Sequence, residues 1–425
     1  MLDKFRFLQM FNTDPWTAAG TSEVNPVNVT TQSSMDPTMK TFFVDFLLQN
    51  VREQIIFAQF GKRVSIHGNT AEFRKWDTFE KALTPLTEGV IPRGQGFGMT
   101  SITVSTTQHG TYTTISDRLE AEAYDDVMLG ATEEMSATEV ETYDTLVREV
   151  ISAGTSVQYA HKTSGDTEGD AVTSRKALDK TCKMTPREIN RAVTFLKKTK
   201  TPKINNSYIC ICHPSQTYDL RETKGWLEAH EYASPKEIYN GEIGALHGAR
   251  FVESTEAKVI CGADLTEGAR NLTVKTNVSA STSVAVKEAI TSADATALVG
   301  RKLLDASGNE YEIASASAAA AGSASITLKA AATISADAVL YPGEGGAAGG
   351  AVYCALFFGK DAFAIVDPEG EDKKMYIKTK GEVGGPIEQF GTVGFKFCFG
   401  AKILYQERLL RLETGSDYSD VDEAN

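Results

Sequence analysis

Four groups of residues have types and spacings that could do chemistry, and each stops short of what that chemistry requires. Gly94, Gly96 and Gly98 could cradle a phosphate on backbone N–H groups. They lack the G-x-G-x-x-G spacing, however, and no helical pattern follows them, so a flexible loop tip is the simpler reading. Gly343 to Gly350 has no Gly-Lys-Ser/Thr ending and reads as a linker. Asp166, Glu168 and Asp170 alternate like the start of a calcium loop, but Ala171 and Ala177 stand where that loop needs glycine and glutamate. The histidines at 67, 109, 161, 213, 230 and 247 form no His-x-x-x-His or His-Glu-x-x-His pair. His230-Glu231 runs into Tyr-Ala-Ser without a second histidine, and no Gly-x-Ser-x-Gly elbow occurs. The residues therefore nominate no catalytic group, no cofactor and no metal ligand.

Six cysteines, at 182, 210, 212, 261, 354 and 398, include no Cys-x-x-Cys pair. Cys210 and Cys212 alternate within the apolar run Tyr208-Ile-Cys-Ile-Cys212, which places them on one face of a strand as small core residues. A disulfide framework is not expected in a chain of this size without an export signal, and the N-terminus shows no signal-peptide pattern. The net charge of −13 argues against a protein that binds nucleic acid through a basic surface. No apolar run approaches the length of a membrane span.

The elements that would position a site are more informative than the motifs. Thr70-Ala-Glu-Phe-Arg-Lys-Trp76 alternates as a strand, and Thr100–Thr107 and Thr111–Ile115 return as strands. Between them, residues 77–98 hold Pro85, Pro92, Gly89, Gly94, Gly96 and Gly98 and few apolar residues. A connection of this length inside a compact domain is usually functional. An arm that cannot bury itself must be buried by a partner, and the natural partner is another copy of the chain.

Asp36-Pro37 opens an amphipathic helix over 38–57, with Met39, Phe42, Phe43, Phe46, Leu47, Val51 and Ile55 on one stripe. A second, longer helix is expected from about 125 to 153. Val127, Ala131, Met135, Tyr143, Leu146, Val147, Val150 and Ile151 form its stripe, and acidic residues including Glu139 and Asp144 form its polar side. Gly154 should end it in the manner of a C-terminal glycine. Thr185-Pro-Arg-Glu188 has the form of a capping box. It opens a helix carrying Ile189, Ala192, Val193 and Leu196, and the strand 208–212 follows, which together suggest a mixed central sheet.

From about Asp264 to Gly350 the chain turns rich in Ala, Ser, Thr and Gly, with short strand-like segments and a turn at Asp305-Ala-Ser-Gly-Asn309. This reads as an inserted β-module, a small barrel or sandwich. Its expected core is Leu272, Val274, Val299, Leu303, Tyr311, Ile313, Ile326, Leu328, Val339 and Leu340. Ala316 to Ala321 is expected as a hairpin loop, not a helix.

Several runs carry a family resemblance: Phe60-Gly61, Lys81-Ala-Leu-Thr-Pro-Leu-Thr-Glu-Gly-Val90, Gln108-His-Gly leading into Ile115-Ser-Asp117, Ala153-Gly-Thr-Ser-Val-Gln-Tyr-Ala160, Phe357-Phe-Gly-Lys-Asp-Ala-Phe363, Gly391-Thr-Val-Gly-Phe-Lys396 and Ala401-Lys-Ile-Leu404. In their order and spacing the chain resembles the major capsid proteins of tailed bacteriophages, in the N-four-like capsid group. The likeness runs from about Met39 to Leu412, with a gap near 264–350. It implies an α+β, HK-ninety-seven-like capsid fold.

On that reading residues 1–37 are an N-terminal arm, 38–61 an amphipathic helix and 62–116 an extended β-hairpin loop. Residues 117–184 are a peripheral domain with a spine helix, and 185–263 an axial domain. Residues 264–350 are the inserted module, 351–370 axial, 371–413 peripheral strands and 414–425 a solvated acidic tail. The resemblance implies self-assembly through hexamers and pentamers into an icosahedral virion capsid around double-stranded DNA, without sequence-specific binding. It implies a separate scaffolding protein, a portal, assembly in the host bacterial cytoplasm, and a decoration protein as an optional addition. The hairpin should lie across a neighbour through Leu83, Leu86, Val90 and Ile91, with Arg74, Lys75, Lys81, Glu88 and Arg93 as polar contacts. Two other readings stay open on the residues alone: a β-rich surface-binding protein, suggested by the Ala/Ser/Thr module, and an enzyme with an unrecognised site.

Overall fold

A computed structural model describes residues 55–83, 85–86, 88–91, 94–123, 126–165, 167–223, 244–267, 269–369, 374–379, 382 and 389–425. The expected arm over 1–37 and nearly all of the helix over 38–57 lie outside these residues, and Phe57–Gln59 forms a short 3-10 turn.

The long helix spans Val127–Ser152, about 39 Å at ~1.5 Å per residue. Asp126 caps its start by accepting from the Leu129 N–H at 3.1 Å. Tyr143, Val147 and Ile151 face a sheet whose longest strand, Phe390–Ile403, turns Phe395, Phe397 and Phe399 toward them. The Tyr143 ring meets Phe399 edge-on at 5.1 Å. The helix ends just before Gly154, as expected, but Gly154 is not in the left-handed region; a Cβ there would sit 2.8 Å from Leu409 Cδ2, so the glycine lets the Leu409 side chain pack close. Nor is the polar side all solvent-facing, since Glu139, Asp144 and Arg148 are buried. The Asp144 carboxylate accepts from the N–H groups of Ile56 (3.0 Å), Phe57 (3.2 Å) and Ala58 (3.0 Å), tying the 3-10 turn to the helix.

This five-stranded sheet, which holds the strands 374–378 and 390–403 expected as peripheral, places Lys62–Ile66 parallel to Phe363–Pro368, which runs antiparallel to the far end of 390–403. Thr107–Ser116 lines the other edge of 390–399, and Lys374–Lys378 pairs with 392–396. A second, central sheet has the strand order 157–159, 409–414, 352–358, 208–212, 249–253, 245–246, with both parallel and antiparallel pairs. It is mixed, as expected. Alternation splits its side chains between two cores. Tyr208, Cys210, Cys212 and Phe357 pack on the helix Pro186–Lys198, while Ile209, Ile211, Leu356 and Phe358 face the long helix. Cys210 and Cys212 are the buried small residues the alternation predicts, and burial raises the Cys210 thiol pKa. Pairing divides the tail half of the chain differently from the expected boundaries. Strand 363–368 joins the peripheral sheet and 409–414 the central one, because each strand's partner lies far away in sequence.

One further expectation is corrected and another is refined. Thr185 caps its helix by accepting from the Glu188 N–H, but the Glu188 carboxylate does not close the box; it turns inward to Gln158 and His161. Residues 417–425 keep most of their side chains in solvent, as expected, but the segment is docked at defined points. Tyr353 donates its hydroxyl to Ser419 O at 3.0 Å, the Ala351 N–H to Asp420 O at 2.9 Å and the Val259 N–H to Asn425 Oδ1 at 2.8 Å. Buried hydroxyl and amide donors thereby find acceptors on the segment.

The inserted module is a barrel. Its strands run 272–273, 339–342, 302–304, 310–317, 325–334, 278–285, and a bridge from Val274 to Val286 brings the last back beside the first. Leu272, Val274, Leu303, Ile313, Ile326, Leu328 and Leu340 fill it as expected. Val299 does not, being exposed, while its neighbour Leu298 turns inward; Val339 and Tyr311 are half-buried. Val278, Val284, Val286, Ile290, Ala332 and Ile334 complete the core. A short helix, Ser292–Ala297, with a Thr291/Asp294 capping box, was not foreseen, whereas the hairpin loop after Ser317 was. Asp305 closes its turn by accepting from the N–H groups of Ser307 and Asn309.

The glycine segment 343–350 is a clamp, not a linker. A Cβ on Gly343 would meet Lys302 O at 2.7 Å and one on Gly346 Leu178 O at 2.5 Å, and the Ala347 N–H donates to Leu178 O at 2.7 Å. Glycine there permits contact between backbones.

Candidate subunit interface

Thr70–Trp76 and Met99–Ser105 pair in a two-stranded ribbon with register Thr70↔Ser105 to Trp76↔Met99. The base of the ribbon is held by its own chain. Ala71 and Val104 are buried against Val366, and Thr106 Oγ1 donates to Asn69 Oδ1 at 2.8 Å. Lys402 Nζ donates to Thr103 O at 2.9 Å. The Lys75 ammonium lies 5.1 Å above the Tyr405 ring of its own chain, and the residue is exposed.

Beyond Trp76 the arm continues as loop, but it is ordered by its own contacts. The Asp77 N–H donates to Gly98 O at 3.0 Å, and Gln95 Nε2 to Glu80 O at 3.0 Å. Trp76 stacks on Phe97 at 4.3 Å, and Phe97 on Phe79 at 5.2 Å. This three-ring stack is more than half exposed throughout and was missed in the sequence. Its signal was there, in aromatic residues at both ends of the glycine-rich stretch. Leu83, Leu86, Val90 and Ile91 are 84, 77, 63 and 93 % exposed. Arg74 makes a loose pair with Glu72 at 3.6 Å, and Lys81 and Glu88 are exposed. Arg93 lies outside the described residues. The arm thus carries four exposed aliphatic residues on its loop and an exposed aromatic stack where the loop leaves the ribbon. Isolated exposed apolar residues are ordinary, whereas this many on one short segment suit contact with another molecule.

A second exposed surface lies on the peripheral sheet, on the face opposite the long helix. A trough of about 460 Å³ runs between Tyr112 and Tyr376 over Gly394, flanked by Lys378, Thr392 and Lys396. Gly394 forms its floor because a Cβ there would sit 2.6 Å from Tyr112 Cβ. Tyr112 and Tyr376 are exposed on its two sides.

The chemical motifs come to little as the sequence presents them. Gly94, Gly96 and Gly98 lie in the arm. Of the alternating acids, Asp166 is outside the described residues, and Glu168 turns to Arg187 and His161. No helix among the described residues is long and apolar enough to cross a membrane.

The family model described as "Phage capsid protein" matches residues 108–367. No curated protein matches the sequence. Among solved structures, the chain is similar to the capsid of cyanophage P-SCSP1u, with 16% identity, a TM-score of 0.54, and 94% of this chain and 99% of that one covered. It is similar to the cyanophage Pam1 capsid asymmetric unit at 11% identity and a TM-score of 0.58, over 91% of this chain and 98% of that one. It is also similar to the capsid of Ralstonia phage GP4 at 13% identity and a TM-score of 0.54, over 94% and 100%. At these identities the likeness concerns the fold.

Proposed function

The chain belongs to the phage capsid protein family, and from that premise we propose that copies of it join through the hairpin arm to build an icosahedral shell around double-stranded DNA. The family makes it a structural protein of the virion capsid; the finer reading rests above all on the arm. Leu83, Leu86, Val90 and Ile91 stand in solvent on the loop of an arm whose base is anchored and whose loop is held where it leaves the ribbon by stacked aromatics. Covering one such side chain stabilises an interface by about 1.5–3 kcal/mol, and the gain repeats at every subunit. Arg74, Lys81, Glu88 and Arg93 supply polar contacts around that apolar edge. The trough bounded by Tyr112 and Tyr376 on a second copy is the receiving surface we favour, since it offers apolar walls beside Lys378 and Lys396 for Glu88.

The role is non-catalytic. The net charge of −13 suits a wall that encloses DNA without gripping a particular sequence. Hexamers and pentamers, a separate scaffolding protein, a portal and assembly in the bacterial cytoplasm belong to this reading, and the barrel module projects from the outer face. Deleting residues 82–92 tests it. The variant should remain folded and elute as small oligomers, and electron microscopy should find no closed shells when it is expressed with its scaffold. Normal particles from that deletion would remove the arm from the reading.

A further inference from the structure

One cluster outside the interface gathers metal-ligating groups around a single point. His161 follows the strand Val157–Tyr159, Glu168 sits on the small hairpin formed by 163–164 and 167–168, and Glu188 lies in the first turn of the helix Pro186–Lys198. One ligand atom from each lies within 4.8 Å of the others. His161 Nδ1 is 2.7 Å from Glu188 Oε1 and 3.4 Å from Glu168 Oε1. A tetrahedral ion with bonds near 2.0–2.2 Å separates its ligands by about 3.4 Å, so shifts of under an ångström or so bring the three atoms onto one centre.

Three observations set this cluster apart from an ordinary surface ion pair. Glu188 is 2 % exposed and gives up its local capping role to point here. Gln158 Nε2 donates to Glu188 Oε2 at 2.7 Å, which fixes the carboxylate and leaves Oε1 aimed at the imidazole, as an outer group orients a metal ligand. Finally, His161 Nδ1 faces an acceptor, Glu188 Oε1, and a donor, the Arg191 guanidinium, at the same time. One ring nitrogen can serve only one of these. Arg191 also donates to both Glu188 oxygens, at 2.8 and 2.9 Å, so it is the cation that balances this carboxylate. Its side chain is 43 % exposed and has open solvent to swing into.

We propose that His161, Glu168 and Glu188 bind one divalent transition-metal cation, zinc being the best match to an imidazole and two carboxylates, and that Arg191 takes the cation's place when no metal is bound. The ion would satisfy the ring nitrogen and both carboxylates together and staple the 163–168 hairpin to the helix.

Titration calorimetry of the full-length chain, stripped with chelator and then given zinc chloride alone, tests this. Wild type should take up one zinc per chain. His161→Ala should weaken uptake by roughly tenfold or more, since even the groups that merely orient ligands are worth that much. Glu168→Gln, which keeps the side chain's size on the small hairpin, should weaken it as well, whereas Arg191→Ala should tighten it by removing the competing cation. Absence of stoichiometric uptake by wild type would overturn the proposal. So would uptake unchanged in both His161→Ala and Glu168→Gln, or an Arg191→Ala variant that binds more weakly.

Discussion

Replacing Asp144 by alanine should be far more damaging than its place among the acidic residues of the long helix suggests. The carboxylate holds three backbone N–H groups of residues 56–58 at 3.0–3.2 Å. Phe57 and Ala58 are buried, whereas Ile56 is half-buried and water can reach its amide. The alanine variant therefore strands two buried donors, each costing about 1–3 kcal/mol, and forfeits charge-assisted bonds. A total near 3–5 kcal/mol is a large share of the about 5–15 kcal/mol that holds a typical domain folded. Asp144→Asn keeps a carbonyl oxygen that can accept from two amides and should cost only about 1–2 kcal/mol. Urea unfolding of the soluble subunit measures both, and hydrogen exchange at residues 56–58 should quicken selectively in the alanine variant. An alanine variant within about 0.5 kcal/mol of wild type, or an asparagine variant as costly as alanine, would refute the reasoning.

Two further outcomes follow from the packing. Burial raises Asp219 from 3.8 to about 6, and its Oδ2 has no hydrogen-bond partner among the described residues. The folded chain thus holds a proton there that the unfolded chain releases, so the group's contribution is most favourable below about pH 4 and is lost as pH rises through 6. Asp219→Asn should raise stability at pH 7.5, by up to about 3 kcal/mol, and change it little at pH 4; urea melts at both pH values check this, and equal effects at the two would contradict it. Replacing 266–348 with a short Gly/Ser linker should leave a soluble subunit with native far-ultraviolet circular dichroism after allowance for the barrel, because the flanking strands pair with each other at Ile260↔Val352. Complete loss of soluble protein would mean that the clamp at 343–350 is indispensable to the central sheet.

What the sequence reveals well is whatever depends on local pattern. The stripe through Tyr143, Val147 and Ile151 marks a helix at its true position, the alternation around Cys210 and Cys212 marks a buried strand, and Asp305–Asn309 marks a turn. The failures share one cause: partners distant in sequence. Asp144 looks like any other acid on a polar helix face, because its three donors lie 86 to 88 residues away. Glu188 has a textual match to a capping box, yet Gln158, thirty residues back, outcompetes the local N–H. Strand 409–414 follows 390–403 after a short turn, which favours one shared sheet, but Cys354 and Leu356 pair with it across the central sheet instead. At the interface, the exposed aliphatic residues were legible as an unburied run, whereas the Trp76–Phe97–Phe79 stack required the loop to fold back on itself.

The point where the barrel joins the fold has an evolutionary and practical consequence. The chain departs along 259–260 and returns along 352–358, and these two strands are hydrogen-bonded neighbours. The barrel between them can be exchanged by recombination without disturbing the pairing on either side, provided the clamp at 343–350 is kept and the newcomer brings its two ends within about 5 Å, the spacing of adjacent strands. The site is a socket. A lineage of such chains can acquire a new module in one genetic step while the two sheets stay the same, and a foreign domain with neighbouring termini can be grafted there by design.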